Sequence, residues 1–138
     1  MMIAYETFEH EADIGIRGNG ATVEEAFAHA AMALYSVMVN LSRVTPIVCR
    51  EVEVEAPDRE LLLVEWLNGL LALSDIERLV FSRFQVIIDG CRLRGIVWGE
   101  PLDREKHDAH VEVKGATYHM LSVVERNGGY SAECVVDV

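Results

Sequence analysis

Two kinds of hydrophobic spacing divide this chain into strands and helices. Alternating positions, or apolar runs bounded by turn residues, predict seven strands, over residues 5–8, 14–17, 47–55, 79–89, 91–98, 111–125 and 130–138. Glycine-containing turns at residues 18–20, 89–90 and 127–129 separate neighbouring strands. In residues 47–55 glutamates alternate with valines, which is typical of a strand with one face in water.

Apolar residues at helical spacing predict two helices. The first covers residues 23–39 and begins with a capping box, in which the Thr22 hydroxyl and the Glu25 carboxylate accept hydrogen bonds from main-chain N–H groups. The second starts after Asp58, a natural N-cap, and runs to about residue 75. It is apolar around so much of its surface that we expect it to be covered on more than one side, with Trp66 in the core.

This order of elements predicts an α+β fold with two layers, in which two helices pack on one face of a mixed or antiparallel sheet. A length of 138 residues suits a single domain that spans residues 1–138. The three cysteines, Cys49, Cys91 and Cys134, share no close spacing and lie in apolar runs. We therefore expect small buried thiols in a reducing compartment rather than zinc ligands.

The charge balance narrows the classes of partner. The chain carries 12 Lys and Arg residues against 23 Asp and Glu residues, a formal net charge of −11. Such a charge argues against strong direct binding of nucleic acid and suits a basic partner protein or divalent cations, although solubility explains most of it. Since there is no basic apolar leader and no apolar stretch long enough to span a bilayer, we expect a cytoplasmic protein without membrane contact.

Two polar residues near the start of the chain, His10 and Asp13, are the first candidates for chemistry. They lie at a transition from loop to strand, where both side chains are able to converge. The other end of the chain offers Asp137 and the terminal carboxylate of Val138. Carboxylates with main-chain oxygens suit calcium or magnesium, and an added histidine nitrogen suits zinc or manganese. Capping a turn or binding a carbonyl is the commoner role for such residues.

A second polar group lies in and after the irregular stretch that follows the hairpin. Asp103, His107, Lys114 and His119 are able to supply an acid, a base and a cation. The chain has no nucleophile elbow and no phosphate-binding loop. In a regular strand Lys114 and His119 point to opposite faces, so only a bulge near Gly115 brings them together. The pattern therefore favours a polar interaction surface over a catalytic centre.

Several dispersed segments resemble the archease family. The run His10-Glu11-Ala12-Asp13-Ile14-Gly15 is similar to the family's His-Thr-Ala-Asp-(Ile/Val)-Gly signature, with Glu11 where threonine is usual. The other similar segments are Trp66-Leu67-Asn68, Trp98-Gly99-Glu100-Pro101 with Asp103 and His107, Val113-Lys114 with Thr117-Tyr118-His119, and Val136-Asp137-Val138. They occur in the family's order over essentially the whole chain, with Gly115 where alanine is usual.

The resemblance implies an accessory protein rather than an enzyme. Archeases activate the GTP-dependent RNA ligase of tRNA splicing and RNA repair by promoting its guanylylation and multiple turnover. Some are described as chaperone-like modulators of a tRNA cytosine-5 methyltransferase. The alternative from another class is a metal-dependent hydrolase that uses the same carboxylates.

The resemblance also implies a set of site residues. By matching positions, the family's metal site corresponds to Asp13, Asp137 and Val138, with calcium as the ion that the resemblance favours and magnesium, manganese or zinc as alternatives. The remaining polar candidates would support this site or dock a partner: His10, Glu11, Asp103, His107, Lys114 and His119.

Overall fold

The computed structural model describes residues 3–138, which form eight strands and two α-helices. The strands are β1 (Tyr5–His10), β2 (Asp13–Gly20), β3 (Val48–Glu55), β4 (Leu79–Asp89), β5 (Arg92–Pro101), β6 (Gly115–Ala116), β7 (Ser122–Arg126) and β8 (Gly129–Asp137). The helices are α1 (Val23–Met38) and α2 (Arg59–Glu77). The predicted α+β class is confirmed, and both helices lie close to their predicted bounds.

The strands form two antiparallel sheets where the sequence suggested one. The first sheet has the order β1-β2-β8-β6, and β7 also pairs with β8. The second sheet has the order β3-β5-β4. Because β2 lies along one edge of β8 while β6 and β7 share the other, β8 is the centre of the first sheet.

Helices α1 and α2 each contact strands of both sheets. A Cβ at Gly18 would overlap the main chain of α1 at Ala26 and Ala30. Glycine is required here because helix and strand approach so closely. The turn predicted at residues 18–20 is therefore wrong, since these residues belong to β2 and its glycines serve packing.

Side-chain caps and one buried tryptophan determine where the helices sit. The Thr22 hydroxyl accepts from Glu25 N at 3.1 Å, and Asp58 Oδ1 accepts from Leu61 N at 2.8 Å. The Glu25 carboxylate accepts from Ala21 N rather than from Thr22 N. Trp66 is fully buried, as predicted, and its indole N–H donates to Phe27 O at 3.0 Å, which joins α2 to α1.

Two other expectations are wrong. Cys49 and Cys91 are exposed, and only Cys134 is buried. Cys49 is exposed because it lies opposite Trp98 on the face of the second sheet that α2 does not cover. The strand region predicted over residues 111–125 is interrupted, with only β6 and β7 paired within it. Within residues 3–138, neither helix is both long and apolar enough to cross a bilayer.

Candidate functional site

Strand pairing brings the turn between β1 and β2 together with the last residues of the chain at one end of the first sheet. The β1–β2 hairpin closes with His10 opposite Asp13. The β2–β8 ladder ends with the pair Ile14 and Val136, so the next residues outward are Asp13 and Asp137. Opposite residues of antiparallel strands project to the same face within about 5.5 Å. We call the group His10, Asp13, Asp137, Val138 and His119 the strand-end site.

The aspartates of the strand-end site have no countercharge within the described residues, 3–138. Among residues 3–138, neither the Asp13 nor the Asp137 side chain forms a hydrogen bond or an ion pair. Asp13 is half-buried and Asp137 is exposed. Two neighbouring carboxylates repel each other, and a hard divalent cation with oxygen ligands relieves that repulsion.

The donor set for a cation is small. No cluster of three or more His, Cys, Asp or Glu side chains suited to a metal ion occurs in the described part of the chain. An ion at the strand-end site would therefore rely on two aspartate carboxylates together with the oxygens of Val138. Such a set matches the preference of calcium and magnesium for oxygen, with water completing the coordination. The metal site stays a prediction.

Glu133 provides a useful contrast on the same strand. It is buried, and its carboxylate accepts from Arg17 Nε at 2.9 Å. This ion pair is the main reason that the pKa of Arg17 lies above its usual value, and Glu6 adds to it from 3.3 Å. Glu133 is thus fully compensated, whereas Asp137 at the end of the same strand is not.

A pair of histidines borders the aspartates. The rings of His10 and His119 lie edge to face, with centroids 4.6 Å apart. Thr117 Oγ1 donates to Val135 O at 2.8 Å, and Val135 N donates to His119 O at 3.0 Å, which ties this turn to β8. Because β6 ends at Ala116, His119 lies outside the strand, and the alternation of side chains along a strand does not decide its direction. A turn of the chain places its ring beside His10.

Asn68 positions β6. From the sequence, Asn68 was noted only as part of the segment Trp66-Leu67-Asn68, which resembles the family. Its Oδ1 accepts from Ala116 N at 2.8 Å and so connects α2 to the strand beside Asp137. Lys114 N donates to Asp137 O at 2.7 Å, while the Lys114 side chain is exposed. The available signal was a single amide in an otherwise apolar stretch of the helix.

Asp103 and His107 serve a different part of the molecule. His107 is fully buried, its Nδ1 accepts from Asp103 N at 3.0 Å, and its Nε2 contacts Glu100 Oε2 at 2.8 Å. Since Nδ1 accepts, Nε2 carries the proton and donates to the carboxylate. The Asp103 side chain accepts from two main-chain N–H groups of its own turn. His107 therefore presents no surface to a partner.

Glu100 is the centre of this second polar group, and sequence reasoning missed its role. Lys106 Nζ at 2.8 Å, Thr45 N at 2.7 Å and His107 all donate to its carboxylate. These bonds, with Lys106 the largest contributor, lower the pKa of Glu100 to about 2. The cluster anchors the loop that leads toward β6, and Asn40 N also binds that loop through His107 O at 2.8 Å.

The remaining buried thiol is inert. Burial raises the pKa of Cys134 to about 12, so it stays protonated and packs as an apolar side chain.

Comparison with known proteins connects this geometry to a family. The model of the archease protein family matches residues 5–138. The protein named archease from Thermococcus gammatolerans is 46% identical over 142 residues, covering 99% of this chain and 100% of the relative. That from Pyrococcus furiosus is 47% identical over 143 residues, with 99% and 100% covered.

Solved structures show the same fold. The solution structure of protein 1598 of Methanobacterium thermoautotrophicum has a TM-score of 0.86 and 37% identity, covering 98% of this chain and 99% of that one. The crystal structure of an archease, possible chaperone, from Thermotoga maritima has a TM-score of 0.65 and 18% identity, with 96% of each chain covered. The second likeness is one of fold alone.

Proposed function

The chain belongs to the archease family, and we propose that it is an accessory protein that activates a GTP-dependent RNA ligase of tRNA splicing and RNA repair. In this proposal it promotes guanylylation of the ligase and its multiple turnover. The strand-end site is the part that acts on the ligase. The protein itself carries out no catalytic step.

One observation carries the proposal: Asp13 and Asp137 end neighbouring strands with no countercharge among residues 3–138. Elsewhere in the molecule, the buried carboxylates of Glu133 and Glu100 have cationic partners. An uncompensated acidic pair at the rim of a sheet is suited to hold a divalent ion that a second protein also contacts. Calcium is the proposed ion, and zinc or manganese becomes the better choice if His10 also binds.

The negative net charge of the protein attracts it to the ligase at long range. A net charge of −11 steers the protein toward a basic RNA-binding face and lets it compete with RNA there. Near the nucleotide pocket, the strand-end site would position or deliver a divalent ion during guanylylation. The protein then leaves, because RNA competes for the same basic face.

The residues around the strand-end site have supporting roles in this proposal. Glu11 is exposed in the β1–β2 loop and Lys114 is exposed beside β6, so both are available to a docked ligase. The His10 and His119 rings form the wall next to the aspartates. Asp103 and His107 support the site only by holding the loop that leads to Lys114.

Calorimetric titration with calcium tests the metal site in the isolated protein. Asp13→Asn and Asp137→Asn should each weaken binding by at least about tenfold, since each removes one of the two aspartate carboxylates. Glu53→Gln is the matched control, because it removes one exposed carboxylate from the other sheet. Calcium should also raise the melting temperature of the native protein and of the control, but not that of the two variants.

A ligation assay with the purified ligase tests the function. The native protein should support guanylylation and repeated turnover, and Asp13→Ala or Asp137→Ala should abolish that support. Normal stimulation by both variants would contradict the proposal. Turnover of a phosphate or ester substrate by the isolated protein with manganese, magnesium or zinc would favour the hydrolase. Chelator-insensitive support of a tRNA cytosine-5 methyltransferase would favour a chaperone-like role.

A further inference from the structure

An extended segment of the chain, Val111 to Val113, has strand-like sequence but no strand beside it. The segment contains neither a turn nor a bend. Among residues 3–138, no group bonds to the main-chain N–H or C=O of Val111, Glu112 or Val113. Unpaired main-chain groups of this kind are a template for an added strand.

The register of the first sheet explains why the segment is unpaired. Strand β8 ends at Asp137, which lies opposite Gly115. The last bond to β8 is made by Lys114 N, so the preceding residues lie beyond the end of that strand. From helix α2, Asn68 Oδ1 accepts a hydrogen bond from Ala116 N rather than from the segment Val111 to Val113.

This segment forms one wall of a groove with a volume of about 1070 Å³. Leu71 and Ala72 of helix α2 also line the groove, as do the apolar side chains of Met38 and Val80. Paired strands lie about 4.8 Å apart, and four extended residues span about 13 Å. A groove of this size has room for one extended peptide.

The charges around the groove indicate the kind of peptide. Arg78, Arg104 and Lys114 line it, and none of the three forms an ion pair within residues 3–138. Asp75 and Glu112 are the acidic lining residues, so the groove carries a net charge of +1 in a chain whose formal charge is −11. A second copy of this acidic chain is repelled at long range, whereas a local acidic segment finds free cations.

We propose that this groove binds an extended, acidic segment of a partner protein, which pairs its main chain with Val111–Val113 as an added strand. Main-chain hydrogen bonds supply affinity, alternate apolar side chains enter the groove, and the net positive charge of the groove favours acidic residues at the intervening positions. The interaction does not involve Asp13 or Asp137, so it stands apart from the proposed metal site.

Amide spectra of the ¹⁵N-labelled full chain provide the test. The probe is an acetylated and amidated peptide of sequence Val-Asp-Val-Asp-Val. We expect saturable shifts at residues 111–113 and at Arg78, together with slower amide exchange in that segment. A peptide N-methylated along one edge should bind at least about tenfold more weakly, since it lacks donors for pairing. Replacing its aspartates by lysines should weaken binding about threefold.

Two variants of α2 make the test specific. Ala72→Trp places a large side chain in the groove from an exposed position and should weaken peptide binding at least about tenfold. Ile76→Trp is the control, because Ile76 is 80% exposed and does not line the groove. Asp13→Asn should bind the peptide as the native chain does.

Three results would overturn the proposal. The first is the absence of saturable shifts with the peptide. The second is binding that Ala72→Trp leaves unchanged, which would assign the peptide to another surface. The third is self-association of the native chain that Ala72→Trp abolishes, which would make a second copy the occupant.

Discussion

Asn68 in α2 accepts a hydrogen bond from the main-chain N–H of Ala116 in β6, with Oδ1 and N separated by 2.8 Å. This bond connects the helix layer to the strand that flanks Asp137. It is the one side-chain contact by which α2 bonds the main chain beside the strand-end site within residues 3–138.

Removing this acceptor should loosen β6. Asn68→Leu leaves a partly buried N–H unpaired and should lower the free energy of unfolding by about 1–2 kcal/mol. Asn68→Asp keeps an acceptor oxygen and should lose less. Urea denaturation measures both, and calcium affinity should fall in Asn68→Leu if β6 helps to hold Asp137. Equal stability of the two variants would contradict a role for this bond.

Replacement by alanine should raise the stability of the protein at Gly115 and lower it at Gly18. At Gly115 an added Cβ lies 3.4 Å from Asn68 Oδ1 and the backbone is not left-handed, so Gly115→Ala should raise stability by about 0.4–1 kcal/mol through the unfolded state. At Gly18 the same change overlaps the backbone of α1 and should cost at least about 3 kcal/mol. Thermal and urea unfolding of the pair provide the comparison. A loss of stability in Gly115→Ala would show that Asn68 is unable to adjust.

Glu100 should make folding sensitive to acid. Its pKa in the folded protein is about 2, against an ordinary value of 4.5. A carboxyl with a depressed pKa stabilises the fold above about pH 4.5 and loses that contribution as the pH falls toward 2. Glu100→Gln should therefore be less stable than the native chain at pH 7, and the difference should shrink between pH 4.5 and pH 2.

Urea unfolding at several pH values measures this difference. Glu53→Gln is the control, because its exposed carboxylate has no ion pair in the described part of the chain. A constant gap between Glu100→Gln and the native chain across the whole range would exclude Glu100 as the source of the acid sensitivity.

Glu11 should be a source of local strain rather than a metal ligand. Its φ is +55°, in the left-handed region that asparagine tolerates better than glutamate. Glu11→Asn should raise the free energy of unfolding by about 0.5–1 kcal/mol, while Glu9→Asn, in the neighbouring strand, should not. Chemical denaturation measures both. Calcium affinity should change by less than about threefold in Glu11→Asn, since the other carboxylates remain. A tenfold loss would add Glu11 to the ligand set.

Local chemistry in the sequence determined both helices and most strands. The caps at Thr22 and Asp58 and the apolar repeats of α1 and α2 depend on residues within a few positions of one another. The same holds for the Asp89-Gly90 hairpin. The family resemblance, confirmed over residues 5–138, selected Asp13 and Asp137 as one group before any contact was visible. Such features need no knowledge of the sheet order.

Tertiary structure alone decided the features that depend on distant partners. The glycines of β2 resemble a turn until α1 is seen to lie against Gly18. His107 resembles a candidate for chemistry, but in the fold it is fully buried and bonded to Glu100. Val111–Val113 resembles a strand, and only the register of β8 leaves it unpaired. The physical reason is common to all three: hydrogen bonding and burial depend on which elements meet in space, and local sequence preference does not specify that meeting.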